Sequence, residues 1–508
     1  MPEHLRALIV ILFLACVVFT LARRPATDLI PDRDFKRRRN LWFGLTLLAF
    51  FSHNFWLYLL AGAVILSIAQ RRERNPMALF FMLLFLIPPV EVPVPGFGVV
   101  NFLVDLSHVR LLTLCVLLPA AWALSKQSDT QAFGRNWPDK LLAASMVLMC
   151  ALTLRETTVT DTLRQTFNLY VDMFLPYYVA SRTLRDLEDF KDALLAFVLA
   201  SFLLAIIGVA EYARHWLLYN ALSGAMGVPW SSGNYLSRGG SLRASATTGQ
   251  AIALGYVISV AIGLFLFVQA YVRKPIHRYL GALLLAAGLF APLSRGPWIG
   301  AGVIIAAFIA TGRGAVRRFI LLGLAGVLCV PLLSVVPGGE KVLNLLPFIG
   351  NIETENITYR QRLIDNSLIV IQRNPWFGSF DFRSTPEMQS MIQGQGIIDI
   401  VNTYLSLALR LGLVGLSLFV AFFAVILVGI RKSLRAFPDK DDEQRLLGRS
   451  LLATLVGILV IIFTVSSITV IPVVYWSVGG LGVAYIQMVR RLRREQATEL
   501  ANTRLQPR

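Results

Sequence analysis

Arginine is the residue type whose placement in this sequence could do chemistry. Arg295 stands in the turn "LSRGPW" between two apolar runs, with Ser294, Gly296 and Pro297 as its polar or helix-breaking company. Arg243 lies in "GGSLRASATTGQAIALG", just before another apolar run. Arg360 opens the stretch 360–373, where Ile364, Leu368 and Ile371 recur at helical spacing, and "NPWFG" at 374–378 ends it. A guanidinium is a planar fork of donors that matches phosphate oxygens. Three of them on one face could grip a diphosphate. Arginines near helix ends also snorkel or close structural ion pairs, and the residues alone leave both roles open.

Other chemistries have less support. The sequence holds no P-loop, dinucleotide-binding fingerprint, zinc helix or nucleophile elbow with a triad. The five histidines (His4, His53, His108, His215 and His277) read as solvated or interfacial. The four cysteines (Cys16, Cys115, Cys150 and Cys329) sit inside apolar runs and read as small buried hydrophobes, without metal-ligand or disulfide spacing. No metal and no cofactor is expected.

The elements that must position these arginines are membrane helices. Of 508 residues, 56% are hydrophobic and 15% charged, against about 25% charged in a soluble domain. The apolar residues form long runs such as "LRALIVILFLACVVFTLA" from Leu5 and "LLATLVGILVIIFTV" from Leu451. Such runs span a bilayer as helices, because lipid offers the backbone no hydrogen bonds. The expected fold is an all-α polytopic membrane protein with roughly 12–15 transmembrane helices and a long, partly helical periplasmic loop. Spans are expected near 5–22, 41–52, 55–69, 77–91, 107–124, 139–155, 166–182, 191–212, 249–271, 279–293, 297–311, 319–336, 402–430, 450–466 and 470–489. The first run reads as a retained span rather than a cleaved signal. The stretch 41–70 reads as a hairpin turning near His53 and Asn54.

The net charge of +18 lies in short blocks between the runs, at 23–39, 71–74, 272–278, 312–318 and 490–495. That pattern marks cytoplasmic loops and argues against nucleic acid as a partner. It leaves 213–248, the turn 293–298 and the loop 337–401 outside. The loop carries seven acidic residues (Glu340, Glu353, Glu355, Asp365, Asp381, Glu387, Asp399) and five basic ones (Lys341, Arg360, Arg362, Arg373, Arg383). The chain divides into N-terminal helices over 1–138, a central helical core over 139–336, the loop 337–401, C-terminal helices over 402–489 and a basic cytoplasmic tail over 490–508, polar and loose after Arg494.

Four segments together resemble the superfamily of O-antigen ligases and Wzy-type polymerases, over roughly residues 140–430. "FAPLSRGPWIGAGV" is similar to its Ser-Arg-Gly segment. "LRASATTGQAIALG" is similar to its Arg-x-Ser/Thr-Gly stretch, with Ala246 where glycine is usual and without the proline. "YRQRLIDNSLIVIQRNPWFGSF" resembles its arginine, helix and Pro-x-x-Gly pattern through Arg360 and Pro375. "VNTYLSLALRLGLVGL" resembles its His-Asn-x-Tyr-Leu helix start through Asn402, Tyr404 and Leu405, with Val401 in place of histidine.

The resemblance implies a metal-independent, inverting glycosyl transfer of the GT-C type. The donor would be a saccharide on undecaprenyl diphosphate, used at the periplasmic face of a bacterial inner membrane. Arg243, Arg295 and Arg360 would hold the diphosphate, with Arg362 and Tyr404 as further contacts. With Val401 unable to act as base, Asp399 is the nearest titratable candidate, beside Asn402; accurate placement without a base is the alternative. Membrane lipid is an expected partner, and flippase or chain-length regulator proteins could join it. The same departure at Val401 favours a polymerase of repeat units over a ligase to lipid A core. A polysaccharide or lipid transporter without covalent chemistry, and a structural subunit of an assembly complex, are the readings from other classes.

The topology is testable with an impermeant thiol reagent in a chain cleared of native cysteines. Ser232→Cys and Ser384→Cys should react in intact cells, and Ser433→Cys only once the membrane is opened. Reaction of Ser433→Cys alone in intact cells would invert the assignment.

Overall fold

The computed structural model describes all residues except 99, 229–236, 239, 336–353, 393–395, 438, 440–441 and 506–508. Of the expected outer residues, Ser232, Glu340, Lys341 and Glu353 therefore lie outside the described residues. The chain is almost entirely helical; two short antiparallel hairpins, Val92–Pro95 with Phe102–Leu106 and Ser237–Arg238 with Ser241–Leu242, are its described sheet.

Among the described residues, eight helices are long and apolar enough to cross a membrane: Glu3–Thr27, His108–Lys126, Trp137–Glu156, Leu187–Arg214, Ala251–Tyr271, Thr403–Leu434, Glu443–Ile461 and Ile471–Thr498. Phe55–Arg71, Pro275–Phe290 and Arg295–Ala310 are shorter apolar helices beside them. The 41–70 hairpin forms as expected. Helix Asp32–Phe51 ends before His53, which takes a left-handed φ of 49°, and Asn54 caps helix Phe55–Arg71 by accepting from Trp56 and Leu57.

Several boundaries differ from expectation for identifiable reasons. The run at 77–91 is helical only over Pro76–Leu83, because Pro88 and Pro89 cannot extend a helix; the irregular remainder is mostly buried in the bundle. The block 23–39 is mostly helix rather than loop. Its arginines find carboxylates: Arg23 on Asp32, and buried Arg38 on both Glu73 and Asp192. The tail expected to be loose continues helix Ile471–Leu505. His108 is not solvated. It is buried between the Tyr58 hydroxyl and the Leu83 carbonyl, at 2.8 and 2.9 Å.

The outer helix Thr354–Arg373 exists, but its inner face is displaced by one residue. Leu363, Ser367 and Val370 are buried, with Ile371 beside them, while Ile364 and Leu368 are exposed. Apolar residues stand on both faces, so periodicity alone could not choose.

Small residues bring the helices around Arg295 together, as membrane interfaces require. A Cβ on Gly300 would come 2.0 Å from Ile461, and one on Gly457 2.1 Å from Ile304; Gly263 meets Thr454 in the same way. Helices Ala251–Val268, Arg295–Ala310 and Glu443–Ile461 thus pack as one unit.

Helix Thr403–Leu434 is broken at Gly412, whose φ is 66° and ψ −170°. The break frees backbone N–H groups, and the segment after Arg373 fills it. Leu413 and Val414 donate to the carbonyls of Pro375 and Trp376, at 2.8 and 3.2 Å, and Ser379 donates to Leu409 at 3.0 Å. This backbone-to-backbone joint needs Gly378 as well, also left-handed at φ 61° and with no room for a Cβ.

Gly412→Ala and Gly378→Ala should each destabilise the protein by about 3 kcal/mol or more, since each combines backbone overlap with a left-handed φ. Gly302→Ala, with open space around it, should be near neutral. Thermal unfolding of detergent-purified variants measures this; equal melting temperatures would contradict the joint. For thiol labelling, exposed Lys432→Cys reports better than Ser433→Cys, because Ser433 is buried.

Candidate functional site

The turn before helix Arg295–Ala310 collects the arginines. Leu293 adopts φ 49°, unusual for a branched side chain, and this turns the carbonyls of Pro292 and Leu293 toward the neighbouring hairpin. Arg243 donates through Nε to the Pro292 carbonyl at 3.1 Å and through its terminal nitrogen to Ser294 Oγ at 2.9 Å. Arg238, from the preceding strand, donates to the Leu293 carbonyl at 2.7 Å. Ser294 Oγ in turn donates to Pro292, and Arg295, half-buried, opens the helix. Guanidinium groups from two segments thus meet where backbone N–H groups and the positive end of a helix dipole also point.

The Arg243 segment is held from below by a group that composition did not single out. Residues 243–250 are non-helical and largely buried, so their backbone must be satisfied inside the protein. Glu211, 1% exposed near the end of helix Leu187–Arg214, does this. One carboxylate oxygen accepts from the N–H groups of Ser245 and Ala246, at 3.0 and 2.8 Å, and the other from Leu218 at 3.0 Å. Ala244 donates to Ala291, and Thr247 Oγ1 to the Phe85 carbonyl. Ala246 has φ 45°. The position where the resemblance leads one to expect glycine is therefore left-handed, which glycine takes without strain.

The second wall comes from the outer helix and the segment 398–403. The Tyr359 hydroxyl donates to the Asp399 carbonyl at 2.9 Å, and Ser466 Oγ donates to Asp399 Oδ1 at 2.8 Å. The segment 462–467 is tied to the same place: Thr403 N bonds Ile462 and its hydroxyl bonds Val465, while Thr464 lies against Gly296. Arg360 projects from helix Thr354–Arg373. Desolvation by surrounding protein lowers its pKa, the Asp399 carboxylate raises it and the charge of Arg238 lowers it again. Its side chain stays solvent-accessible, so it remains charged at neutral pH. These influences bring Arg360, Asp399 and Arg238 into one electrostatic neighbourhood.

The sequence-derived residues separate into groups. Arg243, Arg295, Arg360 and Asp399 are carried on segments that meet. Asn402 and Tyr404 are positioning groups. Asn402 Oδ1 caps the helix by accepting from Tyr404 and Leu405, and the Tyr404 hydroxyl bonds the Leu459 carbonyl. Arg362 is exposed, and two residues on from Arg360 it points to another side of the helix. Arg238, Glu211 and Ser466 were missed. Only Arg238 left a signal in the sequence, as a second arginine five residues before Arg243.

Among the described residues, no three histidine, cysteine, aspartate or glutamate side chains converge as a metal site would require. The fold and its helix ends define a multi-pass, all-α membrane protein. The stretch 280–420 matches the Wzy_C family model, described as O-Antigen ligase. It contains Arg295, Arg360, Asp399, Asn402 and Tyr404; Glu211, Arg238 and Arg243 precede it. A search of the curated proteins found no match.

Glu211→Ala should destabilise the protein by about 3 kcal/mol, because three buried N–H groups lose their acceptor. Thermal unfolding checks it. An unchanged melting temperature would show that the carboxylate does not hold this segment.

Proposed function

We propose that the protein transfers saccharide units from undecaprenyl diphosphate at the periplasmic face of the bacterial inner membrane, acting as a polymerase of repeat units. The observation that carries this reading is the meeting of the Arg238–Arg243 hairpin, the Arg295 turn and Arg360 beside Asp399. A lipid diphosphate needs such a set of donors.

In this reading the arginines hold the diphosphate and stabilise the charge that grows on it. An acceptor hydroxyl oxygen attacks the anomeric carbon from the opposite face. The bond from that carbon to the diphosphate oxygen breaks, the diphosphate leaves with the electron pair, and the configuration inverts. We assign Asp399 as the acceptor of the hydroxyl proton, with Ser466 fixing its carboxylate. No metal is required, because guanidinium groups supply the positive charge. The basic ends of helices Thr403–Leu434, at Arg431 and Lys432, and of the following spans support an outer location for the site.

Transfer to lipid A core is the second reading, favoured by the description of the matching family. Val401, where a ligase-like histidine would stand, favours the polymerase. Deleting the gene separates them. Single repeat units, or no secreted polymer, indicate a lost polymerase. Long polymer accumulating on undecaprenyl diphosphate would establish the ligase instead.

Arg295→Ala should lower polymer synthesis by about 100-fold or more in a complementation assay, the scale of one lost transition-state donor. Arg295→Lys should recover only part, having no fork. Full polymer from Arg295→Ala at normal protein level would refute the assignment. Purified enzyme should also keep its activity in chelator; loss restored by magnesium or manganese would overturn the arginine mechanism.

A further inference from the structure

A second pair of arginines lies outside the cluster described above. Phe380–Ser384 is a single 3-10 turn, in which residues three apart eclipse one another. Phe380 and Arg383 therefore share one face. The turn is held against helix Thr403–Leu434 by the Ser379–Leu409 hydrogen bond and by the close approach of Gly378 to the backbone of Leu409 and Arg410. Glu156, at the end of helix Trp137–Glu156, accepts the Phe380 N–H and pairs with Arg155. Arg410, half-buried, lays its guanidinium 4.5 Å from the centre of the Phe380 ring. Arg383 stands over Phe382 and is close enough for its charge to repel that of Arg410.

Among the described residues, the contacts of these two guanidinium groups are with aromatic rings rather than carboxylates. Asp381, on the same turn, is exposed, one residue away from the Phe380–Arg383 face. Two like charges held together beside an aromatic face are unfavourable in the protein alone, and an oxyanion would relieve them. A guanidinium stacked on a ring keeps its in-plane donors available at its edge. Trp376, 65% exposed, and Phe377, 45% exposed, add aromatic surface on the adjoining segment. Sugar rings stack their apolar faces on such surfaces. Asn402, beside Asp399, and Arg410 are eight residues apart (402 to 410), about 12 Å of helix. An oligosaccharide attached at the diphosphate site reaches that far.

We propose that Arg383, Arg410 and the Phe380 ring form a second anion-recognition site, and that its ligand is an acidic group, carboxylate or phosphate, carried by the glycan. The proposal rests on the glycosyltransferase reading and deepens it: the polymer handled by this protein is acidic.

The test uses full-length protein in phosphatidylcholine nanodiscs and polymer purified from the expressing strain. The polymer is taken intact, and again after carboxyl reduction and dephosphorylation with aqueous hydrofluoric acid. Intact polymer should bind. Arg383→Gln and Arg410→Gln, with unchanged melting temperature, should each weaken binding about tenfold, the scale of a lost charge-assisted contact. Neutralised polymer should not distinguish the variants from the parent. A polymer without acidic groups, or equal binding by parent and variants, overturns the proposal. So does loss of bound phosphatidylglycerol from the variants, by native mass spectrometry, without any effect on polymer binding; the ligand is then a lipid headgroup. Arg295→Ala complementation is run alongside. Its full activity would remove the enzyme reading, while its inactivity with unaltered binding by the two glutamine variants would remove only the second site.

Discussion

Backbone that leaves the helix inside a membrane bundle must find its hydrogen-bond partners within the protein. Two departures of this kind shape the molecule. At residues 243–250 the Glu211 carboxylate takes the N–H groups of Ser245 and Ala246, the Ala291 carbonyl takes that of Ala244, and the Phe85 carbonyl accepts the Thr247 hydroxyl. At Gly412 the carbonyls of Pro375 and Trp376 take the N–H groups that the break releases. Each solution ties a distant stretch of sequence to a helix end, and each thereby fixes an arginine: Arg243 in the first case, Arg410 in the second.

Buried arginines meet carboxylates at both ends of the bundle; beside the Val92–Leu106 hairpin Arg110 pairs with Asp172. Arg38 and Arg182 lie at helix ends near the basic blocks and meet carboxylates directly, Arg38 with Glu73 and Asp192, Arg182 with Asp139. Such buried pairs neutralise the charge they bury and hold helices in register. Arg238 and Arg243, at the other end, donate to backbone carbonyls and to Ser294 Oγ. These contacts fix the direction of the two guanidinium groups.

Glycine supplies the geometry that these joints need. A Cβ on Gly378 would overlap the backbone of Leu409, Arg410 and Gly412, and one on Gly412 the backbone of Trp376 and Phe377. Gly378 closes the Pro-x-x-Gly segment 375–378, and Gly412 opens a Gly-x-x-Gly segment at 412–415. The first motif is the plug and the second contains the break. Ala246 occupies a comparable left-handed position with a Cβ, tolerated because its N–H is held by Glu211.

The sequence by itself determined that this is an all-α membrane protein, because runs of apolar residues separated by basic blocks have no other satisfied state in lipid. It also determined the turn at His53 and Asn54 and the helix ending at Arg373. Each rests on a local cause: a cap or a breaker. Tertiary structure decided what local pattern could not. It buried Leu363 and Val370 rather than Ile364 and Leu368, since both faces of that helix were apolar. It gave Asn402 to a helix cap and Tyr404 to a neighbouring carbonyl. It brought Glu211 under the Arg243 segment and Arg383 beside Arg410, pairings separated by long stretches of chain, because hydrogen bonding and charge act through space and leave no period in the sequence.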